Sequence, residues 1–369
     1  MEASATQSTG PLPETSLRVK LLAKSSGPDP EASWKRMLPN GDPRVGGCQF
    51  VFDPACRDYD WLVVYDDLPG SKGERFTLSS EKLACPRERT LLITTEPSSI
   101  KVYGTGYLRQ FGWILTSQEP WVIRHPRPIF RQPGLVWFYG KSHQECTAFS
   151  PENKSKNLST VCSSKRQRHT LHRLRHDFTW KLKREFPELE IYGHGVRPLK
   201  VKADALDPYR YHLSIENHLA EHHWTEKLAD AFLGMALPFY YGCPNIEAYF
   251  PRESFIRIDL KDFDGTVRLI RQAMAENAYE KSLPYLREAR RLILEEYNLF
   301  TQLAKLIEER ACPHSEAKNP ASQADSSPEI LSRHLWRRRH PVGSLQFLLE
   351  KLRVSRKLKR QDAQPAEPD

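Results

Sequence analysis

YRYHLSIENHLAEHHWTEKLADAFLGMALPFYYGCPNIEAYFPRESFIRID, residues 209–259, decides the fold of this chain. YRYHLSIEN is rich in β-formers and ends in a carboxylate and an amide, Glu216 and Asn217. AEHHW is a polar loop with one aromatic, and Thr225 stands where a helix N-cap belongs. EKLADAFLGMA then places Leu228, Ala231, Phe232 and Met235 at helical spacing. LPFYYG reads as a buried strand that stops at Gly242-Cys243-Pro244. Strand, loop, helix and strand in this order make a βαβ unit. In open α/β folds, ligands bind where the strand ends and helix N-termini of such units meet.

Glu226-Lys227, directly after the cap, raises the question of a ligand. A carboxylate in the first turn suits the helix dipole and needs none. A lysine there opposes the dipole, and an anion bound at the helix N-terminus would remove the conflict, as phosphate does. Spacing alone leaves a solvated Lys227 and a phosphate-binding Lys227 both open.

Glu216-Asn217, nine residues, Thr225-Glu226-Lys227 and then LPFYYGCPNIEAYFPRESFIRID form a pattern that resembles the donor-binding half of the glycosyltransferase family 10 α-1,3-fucosyltransferases, the bacterial members most of all. Several independent positions agree at fixed spacing over some fifty residues. The resemblance implies a GT-B fold: two Rossmann-like α/β lobes with the chemistry in the cleft between them. It also implies metal-independent transfer of fucose from GDP-fucose to a sugar hydroxyl.

The remaining chain is consistent with two such lobes. Its 369 residues suffice for two cores. Residues 1–16 read as a disordered leader with neither the basic start nor the apolar run of a secretory signal, and no window is apolar enough to span a membrane. Cytoplasmic residence is expected, whereas animal members of the family carry an N-terminal membrane helix. Seven scattered cysteines without a CxxC pair point to reduced thiols rather than zinc. Residues 16–24, 61–69, 89–99, GWILTSQ and LVWFYG read as strands of a first lobe spanning 17–140, with SSEKLACPRER as a helix between two of them. Residues 141–157 lack apolar periodicity and read as the loop between lobes. A second lobe spans 158–311, 312–330 is a disordered linker, and 331–369 is a tail.

The net charge of +9 is concentrated in that tail. Residues 331–360 hold ten Lys/Arg against Glu350 alone; the last nine residues are acidic, and residues 1–330 carry only +3. Leu345, Leu348, Leu349 and Leu352 form an apolar stripe among the basic residues, a pattern that suits an anionic membrane surface. Residues 331–360 are therefore expected to hold the enzyme at the inner membrane, and removal of 331–369 to spare transfer. The body shows no basic groove with interleaved aromatics, so nucleic acid is not expected as a partner.

Inverting transfer needs a base for the acceptor hydroxyl and positive charge for the departing diphosphate. The base candidate is Glu96, at the end of a buried strand in TTEPSS, a context the family shares; its plain reading is a strand end before a proline turn. For the diphosphate, Lys227 is joined by an arginine of KRQRHTLHRLRHDF. The family has an arginine here with an aromatic three residues on, which favours Arg175 with Phe178 and keeps Arg173 close behind. By the same resemblance Glu226 would bind the ribose hydroxyls, and Asn217, His223 and Trp224 would line the nucleotide pocket. Family members often carry Tyr where this chain has His223. Asp58-Tyr59-Asp60, Asp66-Asp67 and Asp262-Phe263-Asp264 fit the weak acidic pattern of metal-dependent transferases and read as surface turns, so no metal site is expected. The alternatives are a GT-B transferase using another nucleotide sugar, and an inactive membrane- or nucleic-acid-binding relative.

Overall fold

The computed structural model describes residues 16–24, 30–70, 74, 76–134, 136–163, 171–311 and 329–363. Lys165, Arg166 and Arg168, residues 1–15 of the leader and 312–328 of the linker lie outside them. In chain order the strands are β1 Leu17–Ala23, β2 Arg44–Val45, β3 Cys48–Val51, β4 Trp61–Tyr65, β5 Ser80–Lys82, β6 Thr90–Ile93, β7 Trp113–Thr116, β8 Pro128–Phe130, β9 Lys156–Val161, β10 Glu190–Tyr192, β11 Tyr209–Ile215, β12 Leu237–Tyr241, β13 Ile256–Arg257 and β14 Glu329–Leu331.

The first lobe is a seven-stranded sheet in the order β2-β3-β1-β4-β6-β7-β8, parallel except for β2 with β3. Its central strands are apolar on both faces. Val19, Leu21, Val63, Leu91, Ile93 and Leu115 enter one core, and Leu22, Leu62, Val64, Leu92 and Ile114 another. Burial on two faces is what makes such strands read as unbroken apolar runs. The second lobe is a five-stranded parallel sheet, β10-β9-β11-β12-β13. Both sheets aim their strand C-termini at the space between the lobes, the GT-B arrangement of two Rossmann-like lobes.

Several expectations fail, each for a physical reason. SSEKLACPRER is not a helix. Its Ser80–Lys82 is β5, followed by a short 3-10 turn at Arg87–Arg89. Glu81 points inward, where the fully buried Lys20 donates to it at 2.8 Å and Tyr59 at 3.1 Å, and the strand pairs antiparallel with the distant β14. LVWFYG forms no strand among its described residues. The Val136 N–H donates to the Tyr65 hydroxyl, the Phe138 N–H to Asp230, and the Tyr139 carbonyl accepts from Ala203 N. This is where the chain crosses between lobes, its backbone groups satisfied from both sides instead of by a ladder.

Residues 141–157 are not all loop: helix His143–Ala148 starts on a capping box of Ser142 and Glu145. The helix Leu299–Ala311, expected in the second lobe, returns to the first. Phe300 packs edge-on against Phe50 at 5.0 Å, and Asn298 donates to the Met37 carbonyl at 2.7 Å. The return runs through a π-helical turn, Leu292–Glu296.

The C-terminal segment does not start as a free tail. Residues 329–331 are β14, Ile330 is fully buried in the first lobe's second core, and Ser332 is bonded to Thr77 and Ser79. Trp336 lies so close to Gly106 and Gly343 that a Cβ at either would collide with the indole. Removing residues from 331 onward would therefore open the first lobe's core, contrary to the expectation that transfer would be spared. The following helix, Pro341–Ala363, rests on the lobe through Glu350, which accepts from Thr105 N at 2.9 Å, and through the buried Val354. Ile330→Ala should accordingly destabilise the protein by about 2–5 kcal/mol in thermal or urea unfolding, the cost of a core truncation. A loss under half a kcal/mol would mean that β14 is not part of the first lobe.

Candidate active site

The stretch that decides the fold also builds the site. Glu216 leaves the end of β11 with its side chain fully buried, and so needs partners. The Thr225 N–H donates to it at 2.8 Å, and the Thr225 hydroxyl lies 3.0 and 2.8 Å from its two oxygens. Lys227 Nζ is 3.4 Å away. Thr225 also caps helix Glu226–Leu233 by accepting from Lys227 N at 3.3 Å. Gly242 closes the other side: a Cβ there would come within 2.6 Å of the Glu216 side chain.

Lys227 Nζ contacts Thr225 Oγ1 and Glu226 Oε1, each at 3.0 Å. Burial would strip its proton, but Glu226 and Glu216 reverse that and raise its pKa. Burial likewise works against ionisation of Glu226, yet Lys227 and Lys202 bring its carboxyl down to about 2. The helix start therefore offers a fixed cation beside a fixed carboxylate.

Two connected cavities meet at this point. A cleft of 420 Å³ has Glu96, Pro97 and Ile100 on the first-lobe wall and Asn217, His223, Glu226 and Lys227 on the second. A cavity of 310 Å³ shares Asn217, Glu226 and Lys227 and continues to Arg175, His212 and Asp230. Arg175 stands in the first turn of helix His172–Glu185 with its side chain buried. Its Nη1 donates weakly to the Ile215 carbonyl at 3.4 Å, and its Nε has no partner. Asn217 Oδ1 is likewise buried and unpartnered. Both residues line the 310 Å³ cavity.

His223 is buried and lies 3.1 Å from Ser117 of the first lobe; burial first, then His218 and Lys227, hold it neutral with a pKa of about 3. Glu96 sits across the cleft from Glu226-Lys227. Desolvation, then the Asp66 carboxylate, raises its pKa; Lys101 and Lys227 pull the other way.

Two expected residues stand elsewhere. Arg173 points to solvent, 3.6 Å from Asp177, and lines neither cavity. Two residues before Arg175, it falls on another face of the same helix. Trp224 is a core residue, packed edge-on among Tyr249, Phe250 and Tyr297 at 5.0–5.6 Å. Of the acidic pairs, Asp66-Asp67 is not a surface turn. Asp66 accepts from Lys101, Tyr103 and Thr95, and Asp67 from Arg333 N and Leu68 N. Asp58 is exposed, and Asp262 caps the helix Phe263–Ala275. No group of three or more His, Cys, Asp or Glu side chains with metal-binding geometry occurs among the described residues. Ser117, Lys101 and the pair Glu119–His218 at 3.1 Å gave no sign in the sequence, and Asp66 showed there only as half of an acidic pair. Only the sheet order brings them beside cleft residues, Ser117 against His223 and Asp66 and Lys101 near Glu96.

Residues 151–285 match the model of the family described as glycosyltransferase family 10 (fucosyltransferase), C-terminal. The chain is 32% identical over 83 residues to the α-(1,3)-fucosyltransferase FucT of Helicobacter pylori, a stretch that spans 22% of this chain and 17% of that protein. Among solved structures, an α1,3-fucosyltransferase with GDP-fucose aligns over 80% of this chain and 94% of its own, at 17% identity and a TM-score of 0.44. An α-glucosyltransferase in complex with UDP and a DNA 13-mer aligns over 79% and 100%, at 10% identity and a TM-score of 0.47. The family match thus falls on the second lobe, where Glu216, Glu226, Lys227 and Arg175 stand, and the chain spans less than a fifth of the length of the curated relative that it matches.

Proposed function

We propose that the protein transfers L-fucose from GDP-fucose to a hydroxyl of N-acetylglucosamine or glucose in a glycan acceptor, with inversion, as an α-1,3-fucosyltransferase. The observation that carries this reading is the placement of Glu96 on one wall of the cleft with Lys227 and Glu226 on the other, and of Arg175 in the adjoining cavity.

In the reaction the acceptor oxygen attacks C1 of fucose from the first-lobe side, and its proton passes to Glu96. The C1–O bond to the β-phosphate breaks, and the electron pair leaves on GDP. A carboxyl whose pKa is raised is the better base once ionised. Arg175 and Lys227 supply the positive charge that stabilises the departing diphosphate, so the reading requires no divalent ion. Arg175 lines the cavity and brings a planar fork, suited to two phosphate oxygens. Glu226, kept ionised, accepts hydrogen bonds from the ribose hydroxyls, with Asn217 and His223 beside it.

The same proposal places the enzyme at the cytoplasmic face of the inner membrane. Val342, Leu345, Leu348, Leu349 and Leu352 are each more than half exposed on helix Pro341–Ala363. They share that helix with Lys351, Arg353, Arg356, Lys359 and Arg360, and each basic residue near an anionic surface contributes about 1 kcal/mol.

Calorimetry with EDTA present should show binding of GDP-fucose but not UDP-galactose, abolished by Lys227→Ala and strongly weakened by Arg175→Lys. Binding of a uridine nucleotide alone would redirect the donor assignment. Glu96→Gln should keep GDP-fucose affinity while losing transfer by about 10²–10⁴-fold; full activity in that variant would remove Glu96 from the reaction. Replacing Leu345, Leu348, Leu349 and Leu352 together by Gln should release the protein from anionic vesicles in a sedimentation assay while transfer in solution persists. Unchanged vesicle binding would refute the membrane assignment.

A further inference from the structure

The loop that presents Glu96 is held by a polar network that neither the fold nor the donor site requires. Thr95, the residue before Glu96, is bonded twice: its N–H donates to the Tyr103 hydroxyl at 3.0 Å, and its own hydroxyl donates to Asp66 at 3.1 Å. The Tyr103 hydroxyl donates in turn to Asp66 at 2.6 Å, and Lys101 Nζ reaches both Asp66 oxygens at 2.5 and 2.6 Å. On the far side of Glu96, the Gln118 side-chain amide donates to the carbonyls of both Glu96 and Lys101, at 2.7 and 2.8 Å.

Asp66 is the hub of this arrangement. It adopts a positive φ of 73°, a conformation costly for a non-glycine residue that persists only where the surroundings over-determine it. Its neighbour Asp67 is fully buried and accepts from Arg333 N at 3.1 Å, with the Arg333 guanidinium 3.6 Å away. Arg333 is the second residue after β14, so the far end of the chain reaches the strand end next to the base.

We propose that Asp66 is a positioning residue for Glu96, and that the C-terminal segment locks Asp66 in place through Asp67 and Arg333. This inference rests on the reading of Glu96 as the base. The Thr95 N–H leads to Asp66 in two hydrogen bonds and the Glu96 carbonyl in three, through Gln118 and Lys101, whereas the Glu96 side chain itself stays free to meet an acceptor. A base must sit within hydrogen-bond reach of the proton it takes, and small misplacements are costly.

Charge acts alongside geometry. The ionisable groups facing Glu96 are Asp66 and Lys101 from the first lobe and Glu226 and Lys227 from the second; after desolvation, Asp66 is the leading influence and raises the Glu96 carboxyl. Asp66 is itself held ionised by Lys101 and Arg333 against the effect of burial. Removing the Asp66 charge therefore lowers the pKa of Glu96, so the fall in rate on acidification moves to lower pH.

The test compares Asp66→Asn with Glu96→Gln in the full-length protein, following GDP release from GDP-fucose with N-acetyllactosamine as acceptor. Asp66→Asn should lower kcat by on the order of 10²-fold, leave KM for GDP-fucose unchanged, and shift the acid limb of the pH–rate profile downward. Wild-type kcat with an unmoved acid limb, while Glu96→Gln is inactive, would overturn the role of Asp66 and leave Glu96 as the base. Activity in Glu96→Gln would overturn both. If Asp66→Asn does not fold, Tyr103→Phe, which deletes a single hydroxyl, carries the test: a several-fold lower kcat at unchanged donor KM supports the network, and an unchanged kcat overturns it.

Discussion

A carboxylate buried at a strand end is the interaction on which the second lobe depends. Glu216 is out of reach of water, and an unpaired charge there would cost several kcal/mol. The loop of residues 217–224 closes so that Thr225 and Lys227 can meet it, and this closure fixes where the next helix begins. With Thr225 and Lys227 tied to Glu216, both Glu226 and Lys227 are held at the cleft. Thr-Glu-Lys is thus one device: Thr225 anchors the helix start, and Glu226 and Lys227 are presented to the cleft. The glycine after β12 belongs to the same device, since any side chain at Gly242 would displace the Glu216 stem.

Much of this could be read before any coordinates, because its causes are local. The second lobe's strands, the N-cap and the helix Glu226–Leu233 follow from residues within a few positions of one another. The first lobe's central strands were equally legible from their apolar runs. Where reading failed, the cause was distant in sequence. β5 is extended because β14 pairs with it and Lys20 claims Glu81. The segment 136–140 is irregular because it is satisfied by two lobes at once. The helix Leu299–Ala311 looks like any amphipathic helix, and nothing in its own residues says which lobe it covers. One miss was avoidable: Ser142 and Glu145 spell a capping box in plain view.

At the site, residue type was legible and orientation was not. The basic run before Phe178 signalled a charge near the donor. A two-residue offset on a helix nevertheless separates a buried arginine from a solvated one, as Arg175 and Arg173 show. Trp224 is in the same position: an aromatic beside a pocket on paper, and a core residue in the fold. The polar contacts that join the lobes, Ser117 with His223 and Glu119 with His218, exist only once two sheets have been brought face to face.

Among the described residues the chain passes between the lobes twice, outward near residues 136–138 and back through the π-helical turn Leu292–Glu296. Two covalent crossings make the lobes a pair of jaws on a double-pinned joint. Separation by translation would stretch both crossings at once, whereas rotation about the line joining them asks only for small dihedral changes at each. Any opening and closing of the cleft would thus follow a defined arc. A single nick in either crossing would leave the two halves joined by the other.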